Sequence, residues 1–322
     1  MPTISGRRRA AALFASAAAV VALGAIPPQS AAAAETTPIG YAAGTTGGGS
    51  ASPVTVSTLS AFTSAVAGTG AKVVRVSGVI SLSGQVDIGS NTTVLGVGSS
   101  SGLTGGGLRV KDSTNVIVRN LNLSKAVAPA DSITVQKSTR VWVDHNAFSS
   151  DRDHGKDYYD GLLDITHASD YVTVSWNTFK DHYKGSLVGH SDSNTSEDTG
   201  HLRVTYHHNL FSNVNSRIPS LRFGTGHFYD NYVTGADTAV HSRMNAQMLV
   251  ENNVFRDTKV AVTTSRDSST DGYAVLRGND LGGAATEISR TGTFTSPPYS
   301  YTAESASSVV ASVTAGAGTG KI

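Results

Sequence analysis

From about residue 91 onward the chain repeats one short pattern, an apolar or β-branched alternation that closes on asparagine and a large apolar residue. The segments are VWVDHNAF (141–148), VTVSWNTF (172–179), VTYHHNLF (204–211), HFYDNYV (227–233), MLVENNVF (248–255) and AVLRGNDL (274–281). Their asparagines, Asn146, Asn177, Asn209, Asn231, Asn253 and Asn279, are spaced by 31, 32, 22, 22 and 26 residues. Self-similarity at this period marks a stacked array, not a closed globule.

The period inside each unit says which array. Val141, Val143 and His145 share one face of a two-residue alternation, and Trp142, Asp144 and Asn146 share the other. Val172, Val174 and Trp176 align in the same way, which predicts Trp176 in the core, as do Val204, Tyr206 and His208. Alternation of period two is strand. About 22 residues accommodate three short strands with tight bends, and such turns stack at roughly 4.8 Å. Asparagines stacked at one bend would form a hydrogen-bonded ladder. The expected class is therefore all-β, a parallel β-helix. The longer spacings imply insertions at residues 149–159 (SSDRDHGKDYY) and 191–200 (SDSNTSEDTG), and insertions in repeat arrays tend to mark the binding face.

An open coil end exposes strand edges and core, so it needs a cover. Ser57 or Thr58 can cap a short helix running through Val66, which would plug the first coil. At the other end SPPYSYT leads into ESASSVVASV, a candidate packing segment. Arg7, Arg8 and Arg9 precede an apolar run that closes on Ala31–Ala34, too short to span a bilayer. Residues 1–34 read as an export signal, and residues 35–322 as one catalytic domain of a secreted protein. Without the signal 22 basic and 24 acidic residues remain, so bulk charge gives no case for nucleic acid. Cysteine is absent, which excludes disulfides, thiolate metal sites and cysteine catalysis.

Counting from the aligned asparagines places charges at matching positions. Lys184 follows Asn177 by seven and Arg217 follows Asn209 by eight. Superposing DGLLDI (160–165), KGSLVG (184–189) and PSLRFG (219–224) on Leu163, Leu187 and Leu221 sets Asp160 near Lys184 and Arg217. It also sets Asp164 in one column with Arg222, and Asp131 extends the acidic end. Stacked like charges repel, so a bound ion is expected. Oxygen donors without thiolate favour calcium over magnesium outside the cell, and the adjacent cations suit the carboxylates of an acidic sugar polymer. Four residues of extended strand would part Asp160 from Asp164 by roughly 13 Å, so a shared ion requires a bend, which Gly161 permits. His145, His207 and His208 fall on different faces and are expected to hydrogen-bond within the stack.

In this order, VWVDHN, DGLLDI and RIPSLRFG resemble the pectate lyases of polysaccharide lyase family 1, over nearly all of residues 35–322. The resemblance implies a single-stranded right-handed parallel β-helix with an N-terminal capping helix. It implies calcium ligands at Asp131, Asp160 and Asp164, a proton-abstracting Arg217, and substrate-carboxylate binding by Lys184 and Arg222. Asp144 and His145 match a family hallmark with a supporting role, expected beneath the cleft. The implied partner is polygalacturonate, cleaved by a monomer through β-elimination, with neither nucleic acid nor membrane involved. Arginine as a base needs neighbouring cations that disfavour its protonated form, so an alkaline activity optimum is expected. The rival readings are a calcium-free pectin lyase, a two-carboxylate hydrolase and a non-catalytic polysaccharide-binding solenoid.

Overall fold

Each asparagine motif closes a strand and turns the chain, and the computed structural model gives the reason. The model describes residues 1–4 and 34–322, so almost all of the expected export signal lies outside the described residues. The residue before each ladder asparagine is left-handed: His145, Trp176, His208, Asp230, Asn252 and Gly278 have φ between 51° and 65°. One such residue swings an extended chain through a corner, and the asparagine after it ties that corner to the next rung. Asn146 N donates to Asn177 Oδ1 at 2.9 Å, and the pattern repeats from Asn177 to Asn209, Asn231, Asn253 and Asn279.

Twenty-seven strands among the described residues form three parallel sheets of ten, nine and eight strands. Between the first and the last strand, successive strands visit the three sheets in turn, and sheet neighbours belong to successive rungs. This is a right-handed parallel β-helix, the hand that right-twisted strands favour. Its interior carries one continuous apolar cluster from Val56 to Ala274. Inside the eight-stranded sheet Phe148 stacks on Phe179 at 4.6 Å and Phe179 on Phe211 at 4.5 Å.

The helix Leu59–Val66 closes the first coil: Thr58 accepts from Ala61 N at 3.3 Å, and Phe62 and Val66 are fully buried. The C-terminal helix Ala306–Gly316 does not close the last coil. Its Val309 and Val313 pack with Val254, Leu210 and Tyr232, the residues that alternate with the interior ones of the eight-stranded sheet. The chain then runs back until Gly320 N reaches Asn120 Oδ1 at 2.7 Å.

Trp176 corrects its predicted place. Its left-handed backbone breaks the strand parity, so the ring leaves the interior and lies between His145 and His208, at 5.9 and 4.2 Å. There its Nε1 donates to Glu35 Oε1 at 3.0 Å. The three histidines, expected on different faces, meet in this one cluster outside the ten-stranded sheet, where His207 and His208 share an Nδ1–Nδ1 contact of 3.0 Å. Two chain segments cover the cluster. Tyr41 N and Ala42 N donate to Thr205 and Thr173 of that sheet, and Tyr299 shares a hydrogen bond with Thr205. Among the described residues no helix is long and apolar enough to cross a membrane.

Candidate active site

Both long insertions flank the nine-stranded sheet. Residues 149–159 enter it from the eight-stranded sheet, and residues 191–200 leave it for the ten-stranded one. The eight-stranded sheet is also longest here. Thr178–Lys184 and Leu210–Ser216 are seven-residue strands, against three residues in the rungs on either side. Lys184 ends the first of these, paired with Ser216, and Arg217 follows the second. The extended wall therefore carries both cations to the corner where the acidic residues lie.

Strand alternation explains Asp164. Leu163 and Ile165 fill the interior, so Asp164 points outward. The superposition that placed it in a column with Arg222 is corrected by the register. Ile165 pairs with Val188 and Val188 with Leu221, so Arg222 aligns with Thr166, two residues further along the same face. Leu187 faces outward in register with Asp164 while Val188 fills the interior, so superposing the strands on their leucines slips the register. Asp160 precedes the strand, and between the two acids the chain bends at Leu162, next to the Gly161 expected to permit a bend.

Gly161 sits among the carboxylates. Its N–H donates to Asp131 Oδ1 at 2.8 Å, and a Cβ there would stand 2.5 Å from Asp164 Oδ1 and 2.9 Å from Asp131 Oδ1. Asp131 also accepts from Thr134 Oγ1 at 2.8 Å, and Asp164 from Leu187 N at 3.0 Å. Asp160 turns elsewhere: its Oδ1 is 3.1 Å from Lys184 Nζ. Hence no three acidic or imidazole side chains among the described residues already converge as a metal cage. His182 braces this corner, with Nε2 2.6 Å from the Asp160 carbonyl and Nδ1 2.5 Å from Ser150 Oγ. Burial pushes its pKa down to about 4, so the neutral ring donates to one partner and accepts from the other.

The two inner carboxyls are uncomfortable as anions. Burial and the charges of Asp164 and Asp160 push Asp131 up to about 9. Burial raises Asp164 to about 6 against the opposing pull of Arg217. Both groups hold their protons in the fold at pH values where the unfolded chain has released them. Their contribution to stability is therefore complete below about pH 4 and is lost as pH rises through about 6 and then about 9. The metal-free protein should unfold progressively more easily across that window, and Asp131→Asn should flatten the profile. Denaturant midpoints measured in chelator at several pH values check this. Parallel profiles for the two proteins would contradict it.

Arg222 and Arg217 differ in their surroundings. Arg222 Nε lies 2.5 Å from Asp192 Oδ1, and its Nη1 donates to the Gly189 carbonyl at 2.7 Å. Sequence reasoning missed Arg243, the rung neighbour of Arg222, and Asp192, which lies 3.5 Å from Arg243 Nη2. Aligning TAVHSR with RIPSLR would have found Arg243. Burial, then Arg222, lowers Arg243 to about 10. Among the described residues the Arg217 guanidinium makes no hydrogen bond or ion pair, yet its charge is felt at Asp164. Asp144 ends a strand of the ten-stranded sheet and His145 follows it, on a different sheet from Asp164 and Arg222. Asp144 receives Arg119, His145 and Ser175, each at 2.6 Å, within the cluster that anchors the covering segments.

A β-solenoid that sets buried carboxylates beside lysine and arginine of neighbouring rungs is of the class suited to an extended, acidic ligand. The comparisons narrow that class. The pectate lyase family model matches residues 10–322. Pectate lyase A of Aspergillus niger is 52% identical over 284 residues, which cover 87% of this chain and 86% of that one. Pectate lyase B of Colletotrichum gloeosporioides is 51% identical over 283 residues, 87% of this chain and 85% of the relative. A Bacillus pectate lyase solved in complex with trigalacturonate superposes with a TM-score of 0.81 at 32% identity, covering 88% of this chain and 99% of its own. The chain belongs to the pectate lyase family, and it is a polysaccharide lyase.

Proposed function

We propose that this protein is exported through residues 1–34 and cleaves α-1,4-linked polygalacturonate by calcium-dependent β-elimination, releasing 4,5-unsaturated oligogalacturonides. The observation that carries the reading is the row of charge on successive rungs, where the eight-stranded sheet runs into the nine-stranded one. Asp131, Asp160 and Asp164 stand at one end of it, and Lys184, Arg217 and Arg222 continue it on the next rungs. The trigalacturonate bound by the Bacillus relative supports polygalacturonate as the substrate.

The residues fit calcium. Their donors are all oxygen, which suits a hard cation, and the absence of a Cβ at Gly161 leaves room between Asp131 and Asp164. The raised pKa of both buried carboxyls is the signature of a site lacking positive charge. Asp131, Asp160 and Asp164 would hold the ion. When bound, calcium would supply Lewis-acid polarisation of the uronate carboxylate.

This chain's own residues do the rest. Lys184 and Arg222 bind the uronate carboxylates and stabilise the enolate-like charge that grows when C5 is deprotonated. Arg217, which has no carboxylate partner among the described residues, acts as the base after its guanidinium has released one proton to solvent: the freed nitrogen takes the C5 proton and the group becomes a guanidinium again. The electron pair left at C5 forms the C4–C5 double bond as the C4–oxygen bond breaks, and the departing oxygen takes a proton from solvent. No water adds to the cleaved bond. The enzyme works as a monomer along the polysaccharide.

Polygalacturonate incubated with calcium should give rising ultraviolet absorbance from the unsaturated product, and chelator should abolish it. Activity on methyl-esterified pectin that persists in chelator would make this a pectin lyase. Reducing ends without absorbance would make it a hydrolase, and binding without product a non-catalytic solenoid.

A further inference from the structure

Lys184 has a partner that neither arginine has. Its Nζ stands 3.1 Å from Asp160 Oδ1 and 3.3 Å from Asp157 Oδ1, and the side chain is only 13% exposed. Arg222 is engaged by Asp192 and the Gly189 carbonyl. Among the described residues Arg217 has no carboxylate partner. Of these three cations Lys184 is therefore the one seated on a candidate calcium ligand. This contact also explains why Asp131 and Asp164 close around Gly161 while the third carboxylate stays apart.

We propose that Lys184 is the resident cation of the metal-free site, holding Asp160 until a divalent ion takes that carboxylate, so that metal binding releases Lys184 to the substrate. The inference rests on the calcium reading above. An ammonium and a divalent cation cannot both be neutralised at close range by one carboxylate, and a compact charge on a four-carbon stem can change partners with little rearrangement. A second seat is already present. Asp157, 75% exposed on the 149–159 insertion, lies within reach of the same ammonium. By linkage, whatever calcium does for Lys184 and the polymer, the polymer does for calcium. Metal alone binds against the lysine, and metal with substrate binds without that competition.

The test is calorimetric titration of calcium into the chelator-stripped, dialysed protein with no polysaccharide present. Lys184→Met should bind calcium about fivefold more tightly than the native protein, the size of effect expected from removing one partly solvated ion pair. Lys180→Met removes an exposed charge from the same strand and should shift affinity by less than about twofold, because general attraction is screened by solvent. Lys184→Gln should move in the same direction as the methionine variant and replaces it if that variant fails to fold. Native and Lys184 variants with equal affinity, a weaker Lys184 variant, or a Lys180 variant that matches it would overturn this proposal alone. If none of the proteins takes up calcium, the calcium reading falls with it.

Discussion

Arg217→Ala should lower turnover of polygalacturonate by about 10²–10⁴-fold, the range that a general base contributes, while the β-helix stays intact. The expectation of an intact fold follows from how the residue is held. Its carbonyl accepts from Ser186 N at 2.6 Å and its φ is 60°, so the backbone fixes the position. The guanidinium is partly exposed and supports no other group among the described residues. Truncation should therefore change stability by no more than about 0.5 kcal/mol. A non-glycine residue in the left-handed region costs on the order of 1 kcal/mol, and such strain persists where the surroundings impose it. Here it aims an unpaired cation beside Asp164. Steady-state rates separate base from binder: loss of a base lowers kcat, whereas loss of uniform substrate binding raises KM and spares kcat. Unchanged turnover, or a change confined to KM, would remove Arg217 from the chemistry.

The parts of this molecule that were readable in sequence are those whose cause is local. A buried asparagine must find partners for its amide, so asparagines recurring at rung spacing specify the ladder. The core beneath it follows from the column Phe148, Phe179 and Phe211, two residues beyond each ladder asparagine. Asp131, Asp160, Lys184 and Arg217 could be set side by side from sequence because they flank the strands that the ladder sets in order, and Asp164 lies within one of those strands. What escaped depends on contacts distant in the chain. The covering segment meets the ten-stranded sheet through Tyr41 N and Thr205, 164 residues apart, and nothing near Trp176 announces that a strap will shelter its ring. The nine-stranded sheet was misaligned because Leu187 faces outward while its neighbour Val188 fills the interior, a distinction that two adjacent apolar residues do not reveal, and an eleven-residue insertion precedes Asp160. The partner of Arg222, Asp192, lies within the other insertion, where charge pattern alone says nothing of direction.

Asn209→Ala should destabilise the protein by about 3–5 kcal/mol, because removing this side chain orphans several buried groups at roughly 1–3 kcal/mol each. Asn209 Oδ1 accepts from both the backbone N and the Nδ2 of Asn177, each at 3.0 Å. Its Nδ2 serves the Val174 carbonyl at 2.9 Å, the His207 carbonyl at 3.0 Å and Asn231 Oδ1 at 2.9 Å. The residue is fully buried and has rungs on both sides, so water cannot replace these bonds without opening the corner. Asn279 is the control, since it stands at the ladder's end and is partly exposed. It accepts from Asn253, and among the described residues it passes nothing to a further asparagine and its Nδ2 has only the Val250 carbonyl. Asn279→Ala should cost about 1–2 kcal/mol. Asn209→Asp keeps the shape but removes the amide donors and turns an anion toward three oxygen acceptors, so it should be at least as damaging as alanine. Denaturant unfolding of the three variants gives the comparison. Equal small losses at Asn209 and Asn279 would mean that the ladder accompanies the stack without holding it, and the order predicted here rests on its holding each rung to the next.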